Sequence, residues 1–100
     1  MKTYAIYCTD RPETAQARLD ARNAHFTHIE KVLDDILIAG PLVGPGGITV
    51  GSMLVVKAKD EKSARILLER DPYFQADIWT DIRITEFIPA AGEWIGGKIW

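Results

Sequence analysis

Residues 13–33 contain neither Gly nor Pro, and Ala15, Leu19, Phe26, Ile29 and Leu33 recur along them at three-, four- and seven-residue spacings. That spacing predicts one long amphipathic helix, and such a helix draws most of its stability from a surface it can pack on. The flanking segments supply that surface. Residues 3–9 (TYAIYCT) are β-branched and aromatic and run into the break Asp10-Arg11-Pro12, which marks a first strand and its exit turn. Residues 36–39 are apolar throughout and end in Gly40-Pro41, the pattern of a second strand buried on both faces.

Residues 42–51 hold four glycines and Pro45 and are expected to form a loop or the tip of a hairpin. A third apolar run follows at 53–56. Asp60 is predicted to N-cap a second helix reaching about Arg70, because its carboxylate can accept from the unpaired amides of the first turn. Asp71-Pro72 interrupts that helix, and Pro72 can itself open a further turn. Residues 80–88 alternate as a fourth strand, Pro89 ends it, and residues 90–100 form a C-terminal tail.

Strand, helix, strand, strand, helix, strand is the split βαβ order of a ferredoxin-like α+β domain, a four-stranded antiparallel sheet with two helices on one face. One hundred residues leave no room for a second core, so 1–100 is read as a single domain. Two helices cover only one face of the sheet, yet residues 4–8, 36–39 and 53–56 offer apolar side chains to both. A large exposed apolar surface marks an interface, and a closed two-fold homodimer with its sheets face to face is the expected solution. Trp94, Ile95, Ile99 and Trp100 make the tail apolar enough to dock, with the partner subunit one surface for it.

A composition 47% hydrophobic and 26% charged is that of a globular chain. The net charge of −2 gives no reason to approach nucleic acid or an anionic membrane, and no apolar run nears the ~18 residues of a membrane span. The lone Cys8 cannot form an intrachain disulfide and no secretory leader precedes it, so a cytoplasmic location is expected. Gly44, Gly46, Gly47 and Gly51 fit neither a dinucleotide fingerprint nor a P-loop. His25 and His28 lack a third ligand at metal spacing, so no metal is expected.

Polar residues intrude on the long helix. Arg22 lies close to the direction shared by the apolar stripe, whereas His25 stands about 70° and His28 about 130° from its centre. Arg22 is therefore expected to point inward onto a carboxylate, with Asp71 preferred, or onto a carbonyl or a ligand anion; the alternative is an Arg snorkelling at the helix edge. His25 stands where a titrating imidazole can reach a cleft, and His28 is read as a surface residue. Asp71 sits at a backbone irregularity, where it is either the cap of a turn begun by Pro72 or part of a site.

Arg22-Asn23-Ala24-His25 on the first helix, Ile38-Ala39-Gly40-Pro41 at the second strand and Asp71-Pro72-Tyr73 after the second helix occur in an order that resembles the YciI-related family. These are small proteins with a dimeric α+β barrel, similar in fold to muconolactone isomerases. The resemblance covers nearly the whole chain. It implies an active-site dyad at His25 and Asp71, and members of known activity eliminate from chlorinated aromatic-derived compounds without a cofactor. A carboxylate on one imidazole nitrogen fixes the tautomer and raises the basicity of the other, so the dyad suits proton transfer. Arg22, Tyr73 and Tyr4 are the expected substrate-binding residues, Arg22 for an anion and a tyrosine for a phenolic proton. The expected function is a cofactor-independent isomerisation or elimination on a small anionic or cyclic substrate. The alternative is a non-catalytic module that binds a small ligand or a protein, with these residues as a structural network. Geometry separates the two: a hydrogen-bonded His25 and Asp71 lining a concave pocket favour the enzyme, and a sealed pair favours the module.

Overall fold

In the computed structural model, which describes residues 1–99, Tyr4, Ile6 and Cys8 point to one side of the first strand and are buried there, while Tyr7 on the other side is half exposed. This two-residue alternation organises the molecule. β1 (Lys2–Asp10) is the second-to-last strand of an antiparallel sheet in the order β2-β3-β1-β4, formed with β2 (Ile36–Val43), β3 (Thr49–Ala58) and β4 (Trp79–Glu86). Three helices, α1 (Ala15–Lys31), α2 (Glu61–Glu69) and the short α3 (Pro72–Gln75), lie against the face that carries Tyr4, Ile6, Cys8, Leu54 and Val56. The ferredoxin-like α+β fold is the one expected, with the turn begun by Pro72 closing into a third helix.

α2 is conventional. Asp60 accepts a 2.8 Å hydrogen bond from the Ser63 amide, and Ala64 and Leu68 are buried against the sheet. α1 is not. None of its residues is fully buried; the small Ala17 and Ala21 pack on the core, while Leu19 and Phe26 are each 53% exposed, and Leu33, past its end, is 59% exposed. The apolar stripe of the sequence therefore faces an open cleft, and Ala17 and Ala21 on another side face the core. Among the helices and strands α1 packs chiefly on α3, and periodicity alone does not say which of two apolar stripes goes inward.

The strands around the glycine-rich segment are longer than expected. Pairing continues to Val43 and resumes at Thr49, so the loop expected over 42–51 contracts to 44–48, closed by a 2.7 Å bond from the Gly44 amide to the Ile48 carbonyl. Gly46 and Gly47 turn there with φ of 77° and 78°, a region that favours glycine. Gly51 belongs to β3 for a different reason: a Cβ at that position would collide with the Cys8 carbonyl oxygen of β1. The tail forms a two-stranded hairpin, β5 (Ala91–Gly92) and β6 (Gly97–Lys98), whose Trp94 and Ile99 are exposed rather than docked on the body of the chain; Trp100 lies outside the described residues. Among the described residues no helix is long and apolar enough to cross a membrane.

The face of the sheet away from the helices carries Ala5 and Tyr7 beside Val55 and Met53, and Ile38 beside Val55. Cys8, on the covered face, has its thiol pushed up from 9.0 to about 12, first by burial and then by the nearby charges of Asp71 and Asp10. The unfolded thiol titrates near its ordinary value, so as pH rises from there toward 12 the unfolded chain sheds a proton that the folded chain keeps, and stability falls. At mildly alkaline pH iodoacetamide is expected to leave Cys8 unmodified in the folded protein and to alkylate it in urea. Rapid alkylation under native conditions, read by mass spectrometry, would show that this end of β1 opens.

Candidate functional site

Asp71 ends the α2 segment and begins α3, and Pro72 occupies the first helical position, where a missing amide proton costs nothing. The Asp71 side chain caps that helix, its Oδ1 accepting a 2.9 Å hydrogen bond from the Tyr73 amide. The cap fixes the carboxylate rotamer and leaves both oxygens facing α1. There, His25 Nδ1 lies 2.8 Å from Oδ1 and 3.0 Å from Oδ2, although 46 positions separate the two residues. A carboxylate can only accept, so Nδ1 donates, and in the neutral ring Nε2 keeps its lone pair. Asp71 is 2% exposed and the His25 side chain 18% exposed. Nε2 makes no hydrogen bond among the described residues, and His25 lines the cleft. Asp71 is the cap of the turn begun by Pro72, and the same carboxylate holds the His25 ring.

Tyr73 lies against the imidazole with ring centroids 3.8 Å apart and planes 8° from parallel, and Trp79 meets Tyr73 edge-on at 6.2 Å. The tyrosine therefore meets His25 with its ring face, restricting imidazole rotation, rather than with its hydroxyl. The guanidinium of Arg18 stands 5.0 Å from the same ring centroid. Arg18 makes a two-point contact with Asp10, Nε to Oδ2 at 2.7 Å and Nη2 to Oδ1 at 2.9 Å, and Nη2 also reaches Ser52 Oγ at 3.0 Å and the Gly51 carbonyl at 3.2 Å. Burial pulls the guanidinium down, but the hydrogen bond and charge of Asp10 outweigh it and, with smaller contributions from Tyr73, hold it above its ordinary value.

Arg22 is not the buried arginine of α1. It is exposed, makes no hydrogen bond among the described residues and does not touch Asp71, because the stripe it shares faces the cleft rather than the core. It stands as an unpaired cation along the cleft wall. The inward role belongs to Arg18, two helical turns before His25 and so on the same side of the helix. Tyr4 stands in the core, 5% exposed, and does not line the cleft. The sequence reading missed Arg18, Asp10 and Ser52. The seven-residue offset from Arg18 to His25 and the place of Asp10 in the even-numbered series of β1 were available signals; Ser52 emerges only once β3 is registered against Cys8.

The cleft these residues line has a volume of about 970 Å³. Its walls are the exposed stripe of α1 and the hairpin side chains Ile48 and Val50, and its polar groups gather around His25, Asp71, Arg18, Asp10 and Ser52. A mostly apolar concavity with a few convergent polar groups suits a small organic ligand. Arg18→Ala is expected to cost about 3–5 kcal/mol of folding stability, since it leaves the Asp10 carboxylate buried and unpaired. Arg22→Ala should fall within about 0.5 kcal/mol of the parent. Urea titration of the two variants checks this; equal costs would show that the inward arginine has been misassigned.

Protein YciI of Escherichia coli O6:H1 (strain CFT073) is 27% identical over 93 residues, which cover 84% of this chain and 94% of that relative. Among solved structures, 5-chloro-2-hydroxyhydroquinone dehydrochlorinase (TftG) from Burkholderia phenoliruptrix AC1100, in complex with 2,5-dihydroxybenzoquinone, is 26% identical and superposes with a TM-score of 0.81 over 91% of this chain and 96% of its own. Protein Atu4242 from Agrobacterium tumefaciens, 10% identical with a TM-score of 0.53 over 90% of this chain and 94% of its own, shares the fold alone. The YCII-related domain matches residues 2–88, and the chain belongs to that family.

Proposed function

We propose that the chain is a cytoplasmic, cofactor-independent enzyme that moves a proton on a small cyclic, hydroxylated or anionic substrate, in an elimination or an isomerisation. The observation that carries this reading is the division of labour on one imidazole: Nδ1 is held by a buried carboxylate while Nε2 is unbonded on a residue lining the cleft. That is the arrangement of a general base, and the hydrogen-bonded, cleft-lining geometry favours an enzyme over a sealed structural pair. The dehydrochlorinase with a quinone bound, alike over nearly the whole chain, supports a ring substrate and elimination.

In such a step His25 Nε2 takes a proton from a substrate hydroxyl or ring carbon. The electron pair released moves through the conjugated system and expels a halide, so the substrate loses only the elements of an acid and no external oxidant or reductant is consumed. Isomerisation uses the same base and returns the proton to another atom. Asp71 stabilises the imidazolium that forms, Tyr73 keeps the ring in plane, and Arg22 offers a cation to a substrate carboxylate or phenolate.

The uncovered apolar face of the sheet supports a homodimer with its sheets face to face. Sedimentation equilibrium is expected to give twice the chain mass at micromolar concentration; a stable monomer there would contradict the dimer.

A panel of chlorinated hydroxyhydroquinones and unsaturated lactones tests the activity. With any substrate that turns over, His25→Ala and Asp71→Asn are each expected to lower kcat by about 10²–10⁴-fold. Variants that fold and turn over at the parent rate would remove the dyad from the machinery.

A further inference from the structure

Ser52 is 8% exposed, lines the cleft and stands in β3 directly opposite Cys8 of β1. Its oxygen accepts a 3.0 Å hydrogen bond from Arg18 Nη2. Its own proton reaches no acceptor among the described residues. A buried hydroxyl normally spends both functions, so a donor with no protein acceptor at the edge of a ligand cleft is available to a ligand. The guanidinium that donates to its oxygen withdraws electron density from it and makes the O–H a better donor. Arg18 in turn is held by Asp10, which is only 4% exposed, so the relay Asp10–Arg18–Ser52 is fixed before any ligand arrives.

We propose that Ser52 Oγ–H donates to an oxygen of the substrate, binding it as a carbonyl or phenolate and stabilising the negative charge that grows there as His25 removes a proton. This rests on the reading of the cleft as a proton-transfer site and adds to it an electrophilic partner for the base. Arg18 and His25 both contact the Tyr73 ring, so the donor and the base belong to one polar cluster. The substrate class is thereby narrowed to rings bearing an oxygen conjugated with the atom that loses its proton. Arg18 is a positioning residue in this scheme, since it acts through Ser52.

Binding of 2,5-dihydroxybenzoquinone to wild type, S52A and S52C tests the donor, with calorimetry for affinity and infrared difference spectra for the bound carbon–oxygen stretch. In S52A the dissociation constant is expected to rise about tenfold or more, the stretch to move to higher frequency, and the thermal midpoint to stay near the parent's. S52C, close in shape but a weak donor, is expected to fall between; should S52A fail to fold, S52C alone must still loosen binding and raise the frequency. Wild-type affinity and an unshifted stretch in the folded variants would overturn the role of Ser52 while leaving the His25 reading standing. Failure of the wild type itself to bind the quinone would overturn the substrate class and the donor with it, and loss of turnover in His25→Ala would still mark the base.

Discussion

One carboxylate, almost entirely out of water, sets the geometry of the cleft. Asp71 accepts from the Tyr73 amide and from the His25 ring, and those two bonds join the start of α3 to the middle of α1 across the top of the sheet. A buried carboxylate tolerates its surroundings only while its oxygens are bonded, so loss of either partner is costly and the arrangement is held in one conformation. Pro72 contributes by fixing the backbone that aims the cap. Orientation of the imidazole is therefore a by-product of ending one helix and beginning another.

The second polar cluster works in the same way. Asp10 points inward because it follows Tyr4, Ile6 and Cys8 in the alternation of β1, at the point where pairing with β4 shifts register. Such an irregularity re-aims a side chain at the rim of a sheet. Arg18 meets it from α1, and Tyr73 lies within reach of both Arg18 and His25. α1 packs chiefly on α3, which carries Tyr73, and turns Ala17 and Ala21 to the core. The large residues on its other side are left to line a cavity, and that division makes the site a cleft instead of a sealed core.

Much of this was legible beforehand. Strand order, the long helix, the Asp60 cap and the turn begun by Pro72 follow from local chemistry, and the meeting of His25 with Asp71 follows from both helices covering one face. The rotation of α1 was not legible. Leu19, Phe26 and Ile29 make a stronger apolar signal than Ala17 and Ala21, and a stripe lining a ligand cavity obeys the same period as one lining a core. The error placed Arg22 inside and overlooked Arg18. The extent of β3 was hidden for a related reason: Gly51 reads as a loop residue, but its missing side chain serves a close approach between strands. A tyrosine at position 4 offers a phenolic proton by residue type, but the alternation of β1 buries it in the core and not in the cleft.

The central claim is that Asp71 holds His25 with Nδ1 protonated and Nε2 bare. Nitrogen-15 spectra of histidine-labelled protein, recorded where the ring is neutral, read this tautomer directly, with His28→Gln used for assignment. The expected result is a protonated Nδ1 and an unprotonated Nε2 in the parent protein, with the preference lost in Asp71→Asn. A parent ring protonated at Nε2, or a tautomer indifferent to the loss of the Asp71 charge, would contradict it.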